Sequence, residues 1–182
     1  MSEEESVSNY LQRLATAAWP RWTDLPQFDL YMDQVVQFVN DLIAPAGMGE
    51  LTPTMINNYV KKGIIAAPQK KKYTRGQLAN IIVVAILKPV FSLDTISSGI
   101  EYQLVNREAQ QAYDAFILSF TGAVQKAYAD FGGEIVLNTK ELEDTTVVQS
   151  AMVQFAINAV LQKMLVESLV ALNAPKHTGK KK

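Results

Sequence analysis

Apolar positions recur at steps of three and four residues along most of the chain, which is the spacing of amphipathic helices. Pro20, Pro89 and the pair Gly132-Gly133 are typical of helix stops. Together these signals predict helices over Val7–Ala18, Leu30–Ile43, Arg75–Lys88, Asn106–Phe131 and Thr145–Leu172. The pattern therefore predicts a mainly α-helical protein with two long helices in its C-terminal third.

Capping residues locate a shorter helix in the middle of the chain. Thr52 suits the N-cap, Pro53 the first helical position and Gly63 the left-handed residue after the helix end, which leaves a helix of about three turns. Caps for the neighbouring helices are expected at Asp29, at Thr74 with Gln77 as a capping box, and at Ser92.

The segment between Gly63 and Thr74 is too short for another helix. We expect Ile64-Ile65 and Lys72-Tyr73 to be the two arms of a short β wing. Helix, short helix, wing and apolar helix follow in the order of a winged helix-turn-helix, whose second helix enters the major groove of DNA.

The short helix is predicted to bury Met55, Ile56 and Tyr59 and to expose its polar residues. An exposed asparagine can pair with adenine through two hydrogen bonds, so Asn57 and Asn58 are candidates for base reading. Which of the two faces the groove stays open, and so does the alternative that both are ordinary surface residues.

Positive charge is concentrated beside this helix. One fifteen-residue window without Asp or Glu carries six basic residues, although the whole chain has a net charge of −1. Such a local field favours phosphate, and the alternative is a solvated surface run. The predicted DNA-binding set is Thr54, Asn57, Asn58, Lys61, Lys62, Lys70, Lys71, Lys72, Tyr73 and Arg75. Tyr59 and Tyr73 are expected to be core anchors whose hydroxyls could reach phosphate.

Several of these residues resemble the DNA-binding domain of the MerR regulator family. That family has a Thr-Ile-Arg-Tyr-Tyr-like run, a Gly-Leu-Ile element, a tyrosine-containing wing and a Phe-Ser-Leu-x-x-Ile turn. The matching positions are Ile56, Tyr59, Gly63, Ile64, Ile65, Tyr73, Phe91, Ser92, Leu93 and Ile96. Asn57 and Asn58 replace the family's arginine and first tyrosine. The run from Leu51 to Gly63 also resembles a bacterial MerR-like family of unknown function. The resemblance implies a MerR-like winged helix-turn-helix that binds double-stranded DNA.

The composition of the chain limits the kinds of functional site that it can form. The chain has 182 residues, no cysteine and one histidine, His177 in the basic tail, so we expect no enzyme, no cofactor and no metal site. Its acidic start lacks the apolar core of a signal peptide, and no run reaches the ~18 apolar residues of a membrane span. The prediction is a cytoplasmic protein with no membrane partner.

The predicted organisation has four segments. Residues 1–28 form an N-terminal helix and connector, 29–105 the DNA-binding unit, 106–173 a helical dimerisation or effector region, and 174–182 a basic tail. The last helix is apolar around much of its circumference, which favours a homodimer through the C-terminal helices. The expected function is transcription regulation, and the alternative is a protein-interaction adaptor that does not bind DNA. A small-molecule effector between the C-terminal helices is a further possibility.

Overall fold

Helices make up most of the protein, and the prediction of a mainly α fold is confirmed. The computed structural model describes residues 7–129 and 145–173. The predicted Gly132-Gly133 stop and the basic tail over 174–182 lie outside the described residues. In chain order the elements are α1 Val7–Thr16, β1 Leu30–Tyr31, α2 Met32–Ile43, α3 Pro53–Lys61, β2 Lys72–Tyr73, α4 Arg75–Leu87, α5 Leu93–Gln103, α6 Ala109–Ala129 and α7 Thr145–Asn173.

Helix α4 is the centre of the core, and every residue from Gln77 to Leu87 except Asn80 is buried. It contacts α2, α5, α6 and α7. The buried apolar side chains form one continuous cluster that runs from Tyr10 in α1 to Met164 in α7. The predicted N-terminal, central and C-terminal segments therefore share one core.

Helix α3 begins and ends as its capping residues predict. The Thr52 side chain accepts a hydrogen bond from the main chain of the first turn at 3.3 Å. Gly63 has φ +75°, the left-handed conformation that costs glycine least. Beyond it, the amides of Gly63 and Ile64 donate to the carbonyls of Val60 and Tyr59, each at 3.0 Å. These two bonds satisfy carbonyls that the helix end leaves without partners.

The predicted wing arm at Ile64-Ile65 is wrong. β2 instead pairs antiparallel with β1, with Tyr73 opposite Leu30 and Lys72 opposite Tyr31. The amides of Ile64 and Ile65 both donate to the Tyr59 carbonyl, and both side chains are buried, so this pair completes the end of α3 and packs in the core.

The predicted start of α2 is also wrong. Leu30 and Tyr31 are extended, and the helix begins at Met32, so Asp29 does not cap it. The side chain of Gln34 accepts the hydrogen bond from the Tyr31 amide at 2.9 Å. The predicted first helix is shorter than expected and ends at Thr16.

Asn40 fixes the connection between α2 and α3. Its side-chain amide donates to the Leu51 carbonyl at 2.9 Å, and its oxygen accepts from the Leu51 amide at 2.8 Å. The chain between the two helices makes a 3-10 turn over Ala44–Ala46 and reverses at Gly47, whose φ is +64°. The Asn40 side chain thus pairs with both main-chain groups of Leu51, as a neighbouring strand would, and holds the segment before α3 against α2.

Asp114 attaches α6 to the connector before β1. Its Oδ1 accepts from Arg21 Nε at 2.9 Å and from the Trp22 amide at 2.8 Å. The hydrogen bond from Arg21 is the main reason that the pKa of Asp114 lies below its ordinary value, and it raises the pKa of Arg21. The pair therefore joins helix α6 to the connector between α1 and β1.

Among the described residues, one helix is long and apolar enough to cross a membrane by length and composition. It covers Thr145–Ala171 within α7, and 22% of its most apolar stretch is buried in the protein. The core helix of a soluble protein passes the same test. The expectation of no membrane partner stays a prediction.

We expect Asn40→Ala to lower the free energy of unfolding by about 1–3 kcal/mol, because both main-chain groups of buried Leu51 lose their partner. Urea unfolding measures the change. Gln37→Ala is the matched control, since Gln37 lies on the same helix and bonds only exposed Asp41. Equal stability of the two variants would contradict the role given to Asn40.

Candidate nucleic-acid interface

One face of α3 is exposed and polar. Ile56 and Tyr59 point into the core, at 0% and 2% exposure. At about 100° per residue, Thr54, Asn58 and Lys61 lie on the opposite side of the helix. We call these three residues the outer row, and all three are exposed.

The remaining polar residues of α3 lie at the sides of the outer row. Asn57 and Lys62 are exposed there. Met55, expected to be buried, is 36% exposed, so that expectation is wrong. At about 100° per residue, Asn57 and Asn58 lie about 50° to either side of the direction opposite Ile56 and Tyr59, so both asparagines flank the centre of the exposed face.

A tight turn carries the next lysines. The amides and carbonyls of Gln69 and Lys72 bond to each other at 3.0 and 2.9 Å. Between them Lys70 has φ +49° and Lys71 φ +66°. Two central residues with positive φ are what a type I′ hairpin requires, and Asn-Gly is the usual pair there. We call Gln69–Lys72 the lysine turn.

The backbone conformation of the lysine turn is unfavourable for the two lysines at its centre. A left-handed conformation costs a non-glycine residue about 1–2 kcal/mol. Lys70 and Lys71 are both exposed, so no buried contact of their side chains offsets that cost. Strain of this kind concentrates at functional sites.

Helix α2 anchors both parts of the surface. It contacts α3 directly, and it also contacts β2, which follows the lysine turn. β1, which pairs with β2, leads straight into α2. The outer row and the lysine turn are therefore held by the same helix.

The lysines of this surface lie in a part of the chain that has no carboxylates. From Leu51 to Leu93 the chain contains no acidic residue. The ion pairs Arg21–Asp114 and Lys163–Glu167 lie elsewhere in the protein. Lys61, Lys62, Lys70 and Lys71 are exposed and form no ion pair within the described part of the chain.

Two of the predicted site residues do not present free side chains. Tyr73 is 2% exposed and lies opposite Leu30 in the sheet, so it belongs to the core and its place in the DNA-binding set is wrong. Arg75 is half-buried, and its Nε donates to the Pro26 carbonyl at 3.2 Å. It braces the connector before β1.

Tyr59 is likewise a core residue. Its hydroxyl is buried and has no hydrogen-bond partner among the described residues. Burial raises the pKa of both Tyr59 and Tyr73. The expectation that these residues anchor the core is confirmed, and the buried hydroxyl of Tyr59 cannot reach a phosphate.

Sequence reasoning missed Tyr31. Its ring is 49% exposed, and the ammonium of Lys72 lies 4.9 Å from the ring centre. This cation–π contact adds an aromatic surface next to the lysine turn. Side chains along a strand point alternately to its two faces, and in β1 Leu30 faces inward and Tyr31 outward. That alternation is the signal that could have identified Tyr31 as an exposed residue.

Comparison with known proteins identifies the family of this chain. No curated protein and no solved structure matches the chain. One family model, described as a domain of unknown function, DUF1836, matches residues 20–116, which is more than half of the 182 residues. The match includes α2, α3, the lysine turn and α4. The chain therefore belongs to the DUF1836 family.

Proposed function

We propose that this protein is a DNA-binding transcription regulator with a MerR-like winged helix-turn-helix. In this proposal α2 and α3 are the helix-turn-helix, and α3 is the recognition helix. Residues 66–74, with the lysine turn at their tip, take the place of the wing. One observation carries it: an exposed polar face of a short helix and a strained cationic turn are anchored to the same helix. The resemblance of residues 52–100 to the MerR DNA-binding domain agrees with this assignment.

The two parts of the surface would have different tasks. Asn57 and Asn58, with Thr54 between them on the exposed face of α3, would read base edges in the major groove. Lys61, Lys62, Lys70 and Lys71 would bind phosphates, which fixes register without reading sequence. Lys72 is partly engaged with Tyr31 and would add to the field around the turn.

A homodimer through α7 would complete the regulator. The side of α7 opposite its buried row has positions at alternate steps of four and three, the repeat of a coiled-coil seam. We call these positions the α7 seam, and they are Val148, Met152, Phe155, Ala159, Gln162, Val166 and Leu169.

Exposure supports this use of the seam. Met152, Phe155, Val166 and Leu169 are exposed, as is Val170 beside them. Gln162 is the only polar member of the seam, and a single polar residue can set the register of such a pair. Two recognition helices in a dimer would then meet successive major grooves, about 34–36 Å apart.

We expect the double variant Lys70→Glu, Lys71→Glu to lose most of its affinity for duplex DNA. Two attractive charges become repulsive, and the log–log slope of affinity against salt falls by about 0.9 for each phosphate that is no longer neutralised. Fluorescence anisotropy over a salt series, with DNA from the protein's own upstream region, measures both quantities.

Lys88→Glu, Lys126→Glu is the matched control, with the same change in net charge. Lys88 follows α4, about 20 Å along that helix from the wing, and Lys126 is exposed on α6. The proposal predicts a small effect in the control. Equal losses in both variants would contradict a site at the lysine turn. Absence of DNA affinity at low salt, with salt-insensitive binding of a protein, would support the adaptor alternative.

We expect Lys70→Asn, Lys71→Gly to raise the free energy of unfolding by about 1 kcal/mol or more while weakening DNA binding, since this pair suits a type I′ turn but lacks the charges. Lys70→Ala, Lys71→Ala is the control, because it removes the charges without relieving the backbone. Thermal unfolding and anisotropy are measured on both. Equal stability of the two variants would show that the left-handed lysines carry no cost.

We expect Val166→Glu, Val170→Glu to convert a dimer into a monomer, because one charge would be buried in the α7 seam and a second would lie at its edge. Sedimentation equilibrium reports the mass. Gln154→Glu is the control, since Gln154 is exposed on α7 and lies outside the seam. A dimer that persists in the double variant would place the interface elsewhere.

A further inference from the structure

A cavity of about 680 Å³ lies between α4, α5, α6 and α7. Its α4 wall is the row Gly76, Asn80, Val83 and Leu87, one face of the helix at steps of four and three. The volume falls within the ~300–1,000 Å³ of small-molecule sites. Helix α4 thus packs against α2 on one side and borders a cavity on another.

The walls of the cavity are uncharged. None of the described residues that line it is an Asp, Glu, Lys, Arg or His. Most are aliphatic or aromatic, as at Phe91, Ile100 and Phe116. A buried charge without a partner costs several kcal/mol or shifts its protonation, so these walls disfavour an ionic ligand.

One polar group in the lining is not used by the fold. Five of the six polar side chains already have partners: Thr74 and Gln77 in the α4 cap, Thr95 with Ser92, Gln103 with the Gln149 carbonyl, and Tyr113 with the Pro20 carbonyl. Asn80 is the exception, and its amide has no hydrogen-bond partner among the described residues. It is half-buried in a stretch of α4 that is otherwise apolar from Leu78 to Leu87.

We propose that the cavity binds a small, uncharged and mostly apolar molecule whose one polar group pairs with the Asn80 amide. The amide carries both a donor and an acceptor, so a carbonyl or a hydroxyl would satisfy it. An apolar pocket with one oriented polar group gives such a ligand both affinity and a fixed orientation.

The cavity is connected to the proposed DNA surface through Gln77. This residue lines the cavity, and its Nε2 donates to the carbonyls of Ala66 and Ala67 at 2.7 and 3.2 Å. Those two residues lead into the lysine turn, and Thr74, also in the lining, directly follows β2. A bound molecule therefore touches the groups that hold both ends of the wing.

This part of the inference rests on the proposed DNA-binding function. A ligand that contacts Gln77 and Thr74 changes DNA affinity to the extent that it favours one position of the wing. DNA changes the affinity for the ligand by the same factor, because coupling between two sites is reciprocal.

The test begins with ligand binding alone, on the full chain without DNA. Nile red is the first probe, since it is neutral, apolar and carries a carbonyl. We expect saturable binding with one probe per chain, read from the rise in its fluorescence.

Two glycines provide a matched pair of variants. A Cβ at Gly99, in the α5 wall, or at Gly122, on α6 outside the lining, meets nothing within 4 Å. Neither Gly99→Phe nor Gly122→Phe therefore forces a clash at Cβ, and thermal unfolding checks that both remain folded. We expect Gly99→Phe to weaken Nile red binding about tenfold or more and Gly122→Phe to leave it unchanged.

Asn80→Leu tests the polar contact. Leucine keeps the volume of the side chain but removes the amide, so we expect weaker binding of Nile red. Binding of pyrene should be unchanged, because this aromatic hydrocarbon has no polar group that could pair with the amide. Equal binding of Nile red to the wild type and Asn80→Leu would overturn the role of Asn80.

The seam residues Met152, Phe155 and Ala159 also line the cavity, so the proposed dimer brings a helix of the second copy to its rim, and that helix is the rival occupant of the cavity. Nile red binding that appears only when the protein is diluted to monomers would support that occupant and overturn the proposal. Equal binding to the Gly99→Phe and Gly122→Phe variants would overturn it as well.

DNA affinity is then measured with and without saturating Nile red. A change in affinity that Gly99→Phe abolishes is the expected result, and an unchanged affinity overturns the regulatory coupling. Probe binding without any DNA affinity would refute the proposed function and leave the cavity standing. DNA binding without probe binding would refute the proposed cavity site and leave the proposed DNA-binding function unaffected.

Discussion

Gln77 is the residue on which the arrangement of the surface and the cavity most depends. Its side-chain oxygen accepts from the Thr74 amide at 2.7 Å and starts α4, while its Nε2 holds the carbonyls before the lysine turn. It is one of the few buried polar side chains in the described residues. A buried amide whose donors and acceptor are all hydrogen-bonded holds its neighbours in fixed positions. Gln77 therefore connects the lysine turn, the start of α4 and the wall of the cavity.

The local signals in the sequence were sufficient for helix ends and insufficient for strand pairing. Thr52, Gly63 and Thr74 act where predicted, because a cap depends on residues within one helical turn. The β pairing was missed because Leu30 and Tyr73 are more than forty positions apart. Ile64-Ile65 has the composition of a strand, but the end of α3 uses its amides.

The candidate site was predictable in its residue types and not in its geometry. The lysine cluster and the asparagines stand out in the sequence, while the left-handed backbone of Lys70-Lys71 and the burial of Tyr73 do not. Helix α4 is almost wholly apolar from Leu78 to Leu87, which predicts burial on every side but cannot reveal that one face borders a cavity. Asn80 is the single break in that pattern, and only the surrounding helices show what it faces.

Chemical-shift mapping of the ¹⁵N-labelled protein with a DNA duplex measures whether the outer row and the lysine turn form one DNA surface. We expect salt-sensitive shifts at the side-chain amides of Asn57 and Asn58 and at the main chain of Thr54, Lys61, Lys70 and Lys71. Shifts confined to other faces, or none at low salt, would contradict it.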